Sequence, residues 1–312
     1  MKWEKKGRIF EPKGQFEWMH KYGIVPTPVY LRETNSIRIF FATAASDNIG
    51  RITFMDVDAN NPSDIITQPE KIVLHEGEPG TFDDCGVNPT SFIVYEGKEY
   101  LYYVGYERSV RVPFTLFPGV AVGNIKDGFK RVKRVPFFDR SEKYPYSLAA
   151  PFVLIDENKF KLWLWLGMKW VRVNDKDYLS AKIGYAESEN GLDFTLINED
   201  CIVPDQSKEF SVGRPWVMKD NGIYKMFYSV RYLDKLYRLG YAESENGINW
   251  NRKDEEIGID VSPDGWDSEM ICYPAVINTG SKTFLFYNGN NNGVSGFGYA
   301  ELIAGSNSVK NK

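Results

Sequence analysis

The stretch YAESENGLDF at residues 185–194 returns almost unchanged as YAESENGINW at residues 241–250. In each copy an Asn-Gly pair separates an apolar stretch from an aromatic residue. Asn-Gly readily adopts the positive φ angles of a tight hairpin turn, so each copy predicts two strands joined by a turn. A segment that recurs at a spacing of this size indicates a repeat architecture.

Prolines mark the other repeats. Five of them precede alternating apolar residues, at spacings of 61, 62, 64 and 59 residues: Pro28, Pro89, Pro151, Pro215 and Pro274. Proline has no N–H to donate to a strand ladder, so within sheets it is confined to edges and bulges. We therefore predict that each proline lies in the first strand of a sheet, beside a central channel.

An aromatic strand follows each proline, and third and fourth strands follow it. The aromatic strands are at 37–43, 99–106, 160–167, 223–231 and 283–290. Gly and Asn turns interrupt the apolar stretches before a helix could form. The pattern predicts an all-β fold, a five-bladed β-propeller with four antiparallel strands per blade.

The predicted propeller is a single domain over residues 1–312. The fifth repeat stops after its third strand, at about Leu302, so we expect the N-terminal segment 2–10 to supply the missing fourth strand and close the ring. The predicted blade limits are approximately 15–80, 81–140, 141–205, 206–260, and 261–302 together with 2–10.

The composition disfavours several classes of protein. A net charge of −4 argues against a nucleic-acid partner, which favours a basic face. Three scattered cysteines do not make a disulfide framework, and no apolar run reaches the ~20 residues that span a bilayer. The N-terminus lacks the apolar core of a signal peptide. We expect a cytoplasmic protein without a membrane span.

Acidic residues recur five or six positions before three of the prolines. These are Asp83 and Asp84 before Pro89, Glu209 before Pro215, and Glu269 before Pro274, with Asp267 two residues further back. Because the chain enters the channel just before each first strand, we expect these carboxylates to share one mouth. Crowded carboxylates have separated pKa values, as acid–base catalysis requires.

The antiparallel second strands should return other polar side chains to the same mouth. The candidates for substrate binding at these strand ends are Arg108, Trp170, Arg231, Asn288 and Asn290. Two further candidates are Asp267 and Arg214, and Arg214 directly precedes Pro215, where its strand parity predicts that it points inward. Arginines suit a phosphate or an anionic sugar, and Trp170 suits a sugar face. With two histidines in the chain, we expect neither a metal site nor a cofactor. The expected ligand is a small carbohydrate or glycoconjugate, with or without phosphate.

The repeats resemble the five-bladed propeller glycoside hydrolases of families 43, 32, 68, 117 and 130, on phrases such as YAESENG, GWDSEM and YNGN. In family 43 the acids come from blades n, n+2 and n+3, which is the relative order of Asp84, Glu209 and Glu269 here. The chain departs from that family directly before its prolines, where two family acids stand. Thr27, Asn88, Ala150, Arg214 and Tyr273 occupy these positions.

The resemblance implies a carbohydrate-active enzyme that cleaves or transfers a glycosyl unit. Glu269 is then the general acid, Asp84 or Asp83 the base, and Glu209 a tuning or sugar-binding group, with the inverting spacing of about 6.5–9.5 Å between acid and base. Hydrolysis, phosphorolysis and transfer all remain open. The alternatives are that the acids pair with Arg214, Arg231 and Arg108 and only line a polar channel, and that the protein is a non-catalytic propeller that binds a glycan or a protein.

Overall fold

The computed structural model describes residues 1–303, which contain twenty β-strands. The first ten strands are β1 (Trp3–Phe10), β2 (Ile24–Leu31), β3 (Ser36–Ala44), β4 (Gly50–Asp58), β5 (Ile65–Thr67), β6 (Val87–Tyr95), β7 (Lys98–Arg108), β8 (Phe114–Asn124), β9 (Gly128–Arg131) and β10 (Leu148–Asp156). The other ten are β11 (Lys159–Val173), β12 (Lys176–Ser188), β13 (Thr195–Ile202), β14 (Glu209–Asp220), β15 (Ile223–Tyr232), β16 (Arg238–Ser244), β17 (Asn251–Arg252), β18 (Cys272–Asn278), β19 (Thr283–Asn288) and β20 (Phe297–Leu302). The helical segments of this part of the chain are a 3₁₀ turn at Asp254–Glu256 and the single turn α1 (Asn290–Gly293).

The strands form antiparallel units of four. Two units are the separate sheets β2–β5 and β6–β9, and two more, β10–β13 and β14–β17, are joined into one sheet by the single parallel pair Ala181 and Ser211. The last unit consists of β18, β19, β20 and β1. In every unit the aromatic strand is second in sequence, which confirms that part of the prediction.

The N-terminal strand completes the last unit. Strand β1 pairs antiparallel with β20, so that Trp3 lies opposite Leu302 and Phe10 opposite Phe297. The predicted pairing of the two ends of the chain is therefore confirmed. The indole N–H of Trp3 also donates to the Ile257 carbonyl at 2.8 Å, which attaches this strand to the preceding unit.

Each first strand contains a bulge where its ladder with the second strand shifts register. In β2 the shift lies between Ile24 and Thr27, so Pro26 takes the place that Pro151, Pro215 and Pro274 take in their units. The alignment of Pro28 with these prolines was wrong by two residues. Pro26 and Pro28 lie two residues apart and therefore have the same parity, so the period of 2 in a strand cannot distinguish them.

The first strands contact one another in a closed series. Strand β2 contacts β6, β6 contacts β10, β10 contacts β14, β14 contacts β18, and β18 contacts β2. Aromatic side chains fill the space between neighbouring units; for example, the rings of Phe152 and Trp216 lie 4.9 Å apart, and the Trp216 indole N–H donates to the Val276 carbonyl at 2.6 Å. This arrangement brings five chain segments that are distant in sequence around one axis.

Over residues 1–303, no helix is long and apolar enough to cross a membrane.

Candidate functional site

The five first strands surround a cavity of about 120 Å³, here called the central cavity. Every first strand contributes to its wall, and the contributing residues are Ile24, Val25, Asn88, Thr90, Ala149, Ala150, Ser211, Gly213, Arg214 and Tyr273. Second and third strands add Val104, Tyr106, Phe114, Leu116, Trp165, Leu179, Ser229 and Arg231, and the loop after β15 adds Tyr237.

A wider opening of about 530 Å³, here called the mouth, adjoins the central cavity. The two share Ile24, Tyr106, Phe114, Arg231 and Tyr273. The remaining residues of the mouth are Tyr22, Pro113, Lys176, Asp177, Tyr178, Asn291, Asn292 and Val294.

Four residues of the cavity wall adopt a left-handed backbone conformation that L-residues disfavour. The φ angles are 57° at Val25, 47° at Ala150, 53° at Arg214 and 55° at Tyr273. Each residue directly precedes a proline at the bulge of its first strand. A bulge re-aims a side chain, and here the four bulges direct four side chains towards one space.

Arg214 lies in the wall of the central cavity with 4% of its surface exposed. Its guanidinium donates to the Thr90 carbonyl at 3.0 Å, the Thr27 hydroxyl at 3.2 Å and the Pro26 carbonyl at 3.4 Å, all of which are neutral acceptors. The buried Nε has no hydrogen-bond partner among the described residues. Burial lowers the pKa of Arg214 to about 9, so the side chain still carries its charge at neutral pH.

Arg231 is a second cation in the same wall, and aromatic rings surround it. Its guanidinium carbon lies 4.6 Å from the ring centre of Tyr237, 5.3 Å from that of Tyr178 and 5.9 Å from that of Phe210. Its Nε donates to the Tyr237 hydroxyl. Over residues 1–303, no carboxylate lies within 4 Å of the charged nitrogens of Arg214 or Arg231. The cavity is therefore electropositive.

Four tyrosines of the central cavity and its mouth remain neutral. Burial raises the pKa of Tyr106 to about 12, and it raises the pKa values of Tyr22, Tyr237 and Tyr273 above that of an ordinary phenol. A neutral phenol can both donate and accept a hydrogen bond, and its ring presents an apolar face. These groups fit the alternating hydroxyls and apolar faces of a sugar ring.

The predicted catalytic acid Asp83 lies in the interior of its own unit. Its side chain is completely buried and accepts hydrogen bonds from Arg131 Nε at 2.6 Å, the Tyr103 hydroxyl at 2.9 Å and the Thr81 hydroxyl at 3.0 Å. Arg131 belongs to the fourth strand of the unit and Tyr103 to the second. The carboxylate thus joins the segment before the first strand to the rest of the sheet.

Glu209 and Asp267 form the same kind of link in two other units. Glu209 is 2% exposed and accepts from two nitrogens of Arg252, in the fourth strand, at 2.9 Å each. Asp267 is also 2% exposed and accepts from Lys5, again in the fourth strand, at 2.7 Å and from the hydroxyl of Tyr287, in the second strand, at 2.9 Å. The recurrence of acids before the prolines thus has a structural explanation.

The other two predicted acids lie in the segments that precede first strands. Asp84 is half-buried; its Oδ2 accepts from the Gly80 N–H at 2.8 Å, and its buried Oδ1 has no partner among the described residues. Glu269 is exposed. None of the four acids proposed as catalytic belongs to the wall of the central cavity. Their catalytic roles, and the spacing of Glu269 from Asp84, stay predictions.

The remaining predicted residues are dispersed. Asn288 is fully buried and joins the last unit to the first, since it accepts from the Val25 N–H at 2.8 Å and donates to the Gly23 carbonyl at 2.7 Å. Asn290 accepts from the Glu269 N–H at 2.9 Å. Arg108 is exposed and donates to the Asp47 carbonyl at 2.9 Å. Trp170 is half-buried, edge-on to Phe114 at 5.8 Å.

The structure therefore brings Arg214 and Arg231 together, as expected from their strand positions, and surrounds them with residues that the sequence did not single out. The polar members of this group include Tyr106, Tyr237, Thr90, Ser211 and Ser229. Their neighbours in sequence are ordinary strand and loop residues. The available signal was the position before each proline, which contributes Ala150 and Tyr273 as well as Arg214.

Among known proteins, two relatives from Mycobacterium tuberculosis match nearly the whole chain. Uncharacterized protein Rv1502 of strain H37Rv is 33% identical over 302 residues, which are 97% of this chain and 99% of the relative. Uncharacterized protein MT1551 of strain CDC 1551 matches with the same identity and coverage. The chain belongs to the Rv1502 family. No general family model matches it.

This chain of the Rv1502 family is also similar in fold to solved structures, among them glycoside hydrolases. A BT0996 complex with RGII superposes with a TM-score of 0.73 at 18% identity, over 96% of this chain and 90% of that one. A thermostable family-43 glycoside hydrolase gives 0.65 at 18% identity, over 90% and 88%. A structure from the GH130 family of mannoside phosphorylases, which contains glycoside hydrolases that target β-1,2 mannosidic linkages in Candida mannan, gives a TM-score of 0.70 at 12% identity, over 96% of this chain and 93% of that one. At these identities the similarity shows the fold, which is that of the propeller glycoside hydrolases. The predicted resemblance is therefore confirmed for the fold.

Proposed function

We propose that the chain is a carbohydrate-active enzyme that cleaves or transfers a glycosyl unit bound in the central cavity and its mouth. We also propose that its five four-strand units are the five blades of a single-domain propeller, with the limits predicted from the sequence. The closed series of contacts between the first strands supports the blade count. The fold of the solved glycoside hydrolase structures that superpose on this chain supports the class of enzyme.

The backbone conformation of the cavity wall carries this proposal. A left-handed conformation costs an L-residue about 1–2 kcal/mol, and the wall contains four such residues from four different strands: Val25, Ala150, Arg214 and Tyr273. Strained residues persist where the surrounding structure enforces them, and they concentrate at functional sites. Four of them around one cavity favour that cavity as the place where the ligand binds.

The chemistry of the wall favours a reaction in which a second substrate supplies the nucleophile. A hydrolase with two carboxylates places them about 5–9.5 Å apart on either side of the scissile bond. The central cavity has no carboxylate among its described wall residues, and the mouth has one, Asp177. A single carboxylic acid can protonate the leaving group while a phosphate anion attacks, or while an acceptor hydroxyl attacks and its proton passes to solvent. We therefore propose transfer or phosphorolysis, with Asp177 as the general acid.

The general-acid role of Asp177 can be tested with a variant of its neighbour Asp175 as the control. Asp177 is half exposed and lies 3.4 Å from Arg172, whereas Asp175 is almost fully exposed, 3.8 Å from the same arginine, and is not part of the mouth. Loss of a general acid lowers turnover by about 10²-fold or more. We expect that loss for Asp177→Asn and an unchanged rate for Asp175→Asn.

The measurement is a survey of aryl glycosides and glycosyl donors, with and without phosphate or an acceptor sugar. Turnover that depends on phosphate or acceptor supports the proposal. Equal rates for the two variants would reject Asp177, and the same assay of Glu269→Gln and Asp84→Asn then tests the acids predicted from the sequence.

A second candidate function is a glycan-binding propeller without catalysis. The observation in its favour is that Asp83, Glu209 and Asp267 are buried in ion pairs inside their own sheets. Saturable saccharide binding without turnover of any donor would select this candidate over the enzyme.

A further inference from the structure

Among the described residues, the positive charge of Arg214 has no acidic partner. Its hydrogen bonds go to carbonyl and hydroxyl oxygens, so no acidic group compensates the loss of hydration. A buried charge without a counter-ion is strongly unfavourable, and an apolar side chain of similar size is often more stable in its place. The surrounding protein nevertheless holds Arg214 in a left-handed conformation against the cavity.

A second polar atom in the same wall also lacks a partner. The hydroxyl of Thr90 is buried and makes no hydrogen bond with the described residues, as is true of Arg214 Nε. The two residues are adjacent, since the Arg214 guanidinium donates to the Thr90 carbonyl at 3.0 Å. Unsatisfied polar atoms on two neighbouring residues of one wall favour a ligand group that completes the site.

Arg231 adds a second positive charge to the site. It belongs to both the central cavity and the mouth, and its contacts are with neutral tyrosines and Phe210. A ligand that reaches from the mouth into the cavity therefore meets first one arginine and then the other. Arginine is the side chain best suited to carboxylate and phosphate groups, because its planar fork matches their oxygens.

The depression beside β17 differs in this respect, because Lys253 and Glu243 form an ion pair there at 2.7 Å. Among the described residues, no such pair neutralises Arg214 or Arg231 in the central cavity.

We propose that the ligand of this site is an acidic saccharide, whose carboxylate or phosphate ester enters the central cavity between Arg214 and Arg231 while its sugar ring lies in the mouth. This rests on the proposed function for the identity of the site and adds the class of ligand. The narrow cavity suits an anionic group, and the wider, tyrosine-lined mouth suits a ring.

The test is calorimetric titration of the full chain with glucuronate, glucose 1-phosphate, glucose and inorganic phosphate. We expect saturable binding of at least one acidic sugar, and affinity at least about 10-fold lower for glucose, as expected for the loss of charge-assisted hydrogen bonds. The two acidic sugars distinguish the carboxylate from the phosphate ester. Inorganic phosphate that binds more tightly than both acidic sugars would overturn the saccharide part of the proposal.

Arg214→Met and Thr90→Val test the residues, and Arg8→Met, on the outermost strand β1, is the control. We expect Arg214→Met to bind the acidic sugar at least about 10-fold more weakly, with a melting temperature no lower than that of the wild type without ligand. Thr90→Val should weaken binding by a smaller factor, and it covers the case in which Arg214→Met does not fold.

Two results would overturn the inference. One is failure of every acidic sugar to bind the wild type; if glucose still binds, the proposed function survives and only the anionic class is wrong. The other is unchanged affinity in both Arg214→Met and Thr90→Val, which would place the anion elsewhere.

Discussion

Replacing Asp83 by Asn should destabilise the protein rather than disable its chemistry. The carboxylate accepts three hydrogen bonds in a completely buried position, and the shortest of them joins it to Arg131 at 2.6 Å. Breaking a buried ion pair by removing one partner costs about 3–5 kcal/mol. Arg131 keeps its hydrogen bond to the His75 carbonyl and is 20% exposed, so we expect a loss at or just below the lower end, about 2–3 kcal/mol.

The assay is urea unfolding, followed by tryptophan fluorescence. With a slope of about 3 kcal/mol per M, the loss corresponds to a midpoint lower by about 1 M. Asp84→Asn is the matched control, because the neighbouring side chain makes one hydrogen bond through Oδ2, which an amide oxygen can also accept. Its midpoint should change by less than about 0.3 M, which corresponds to about 1 kcal/mol.

An unchanged midpoint for Asp83→Asn, combined with loss of saccharide turnover or binding, would refute this reasoning. It would return Asp83 to the catalytic role that its position before Pro89 suggests. A lowered midpoint with unchanged saccharide affinity in the folded protein would support the structural role.

Two further predictions concern the stability of other parts of the fold. Ala150→Gly should raise the free energy of unfolding by about 0.5–1 kcal/mol, since glycine relieves the left-handed strain at φ 47° but adds freedom to the unfolded chain; a decrease of about 1 kcal/mol in urea unfolding would contradict it. Burial alone would raise the pKa of Asp156, but hydrogen bonds from Lys219, Tyr224 and Lys161 outweigh it and lower that pKa below its usual range. The resulting stability is therefore complete above the unfolded value of about 3.9 and is lost as pH falls towards the folded pKa. Unfolding measured from about pH 6 to about pH 2 should show a smaller decline for Asp156→Asn, and equal declines would count against the assignment.

The repeats made the fold predictable because their signals are local. An Asn-Gly turn, a proline at a sheet edge and an aromatic second strand each act within a few residues, and together they predicted the four-strand units and the pairing of β1 with β20. The error over Pro28 arose at a bulge. A bulge adds one residue to a strand, so the side chains that follow it point to the opposite face of the sheet. The sequence at Val25 and Pro26 contains no distinct signal for a bulge.

The site was harder to predict, because burial and partners depend on the whole sheet. Spacing from the prolines aligned Asp83 or Asp84 with Glu209 and Glu269, whereas the acids in equivalent positions in the structure are Asp83, Glu209 and Asp267. Spacing could not reveal that cations of the fourth strands, such as Arg252 and Lys5, pair with these acids. For Arg214 the same reasoning predicted the inward direction, but its lack of an acidic partner is visible only in three dimensions.

We propose that the ligand binds in the central cavity between Arg214 and Arg231, and that the acids before the prolines stabilise the sheets. A crystal structure of the chain soaked with an acidic sugar that binds it tests this most directly. We predict ligand density in the central cavity, with carboxylate or phosphate oxygens within about 3 Å of Arg214 or Arg231. The ion pairs of Asp83, Glu209 and Asp267 should remain intact. Density at a site formed by those three acids, or outside the cavity and its mouth, would contradict it.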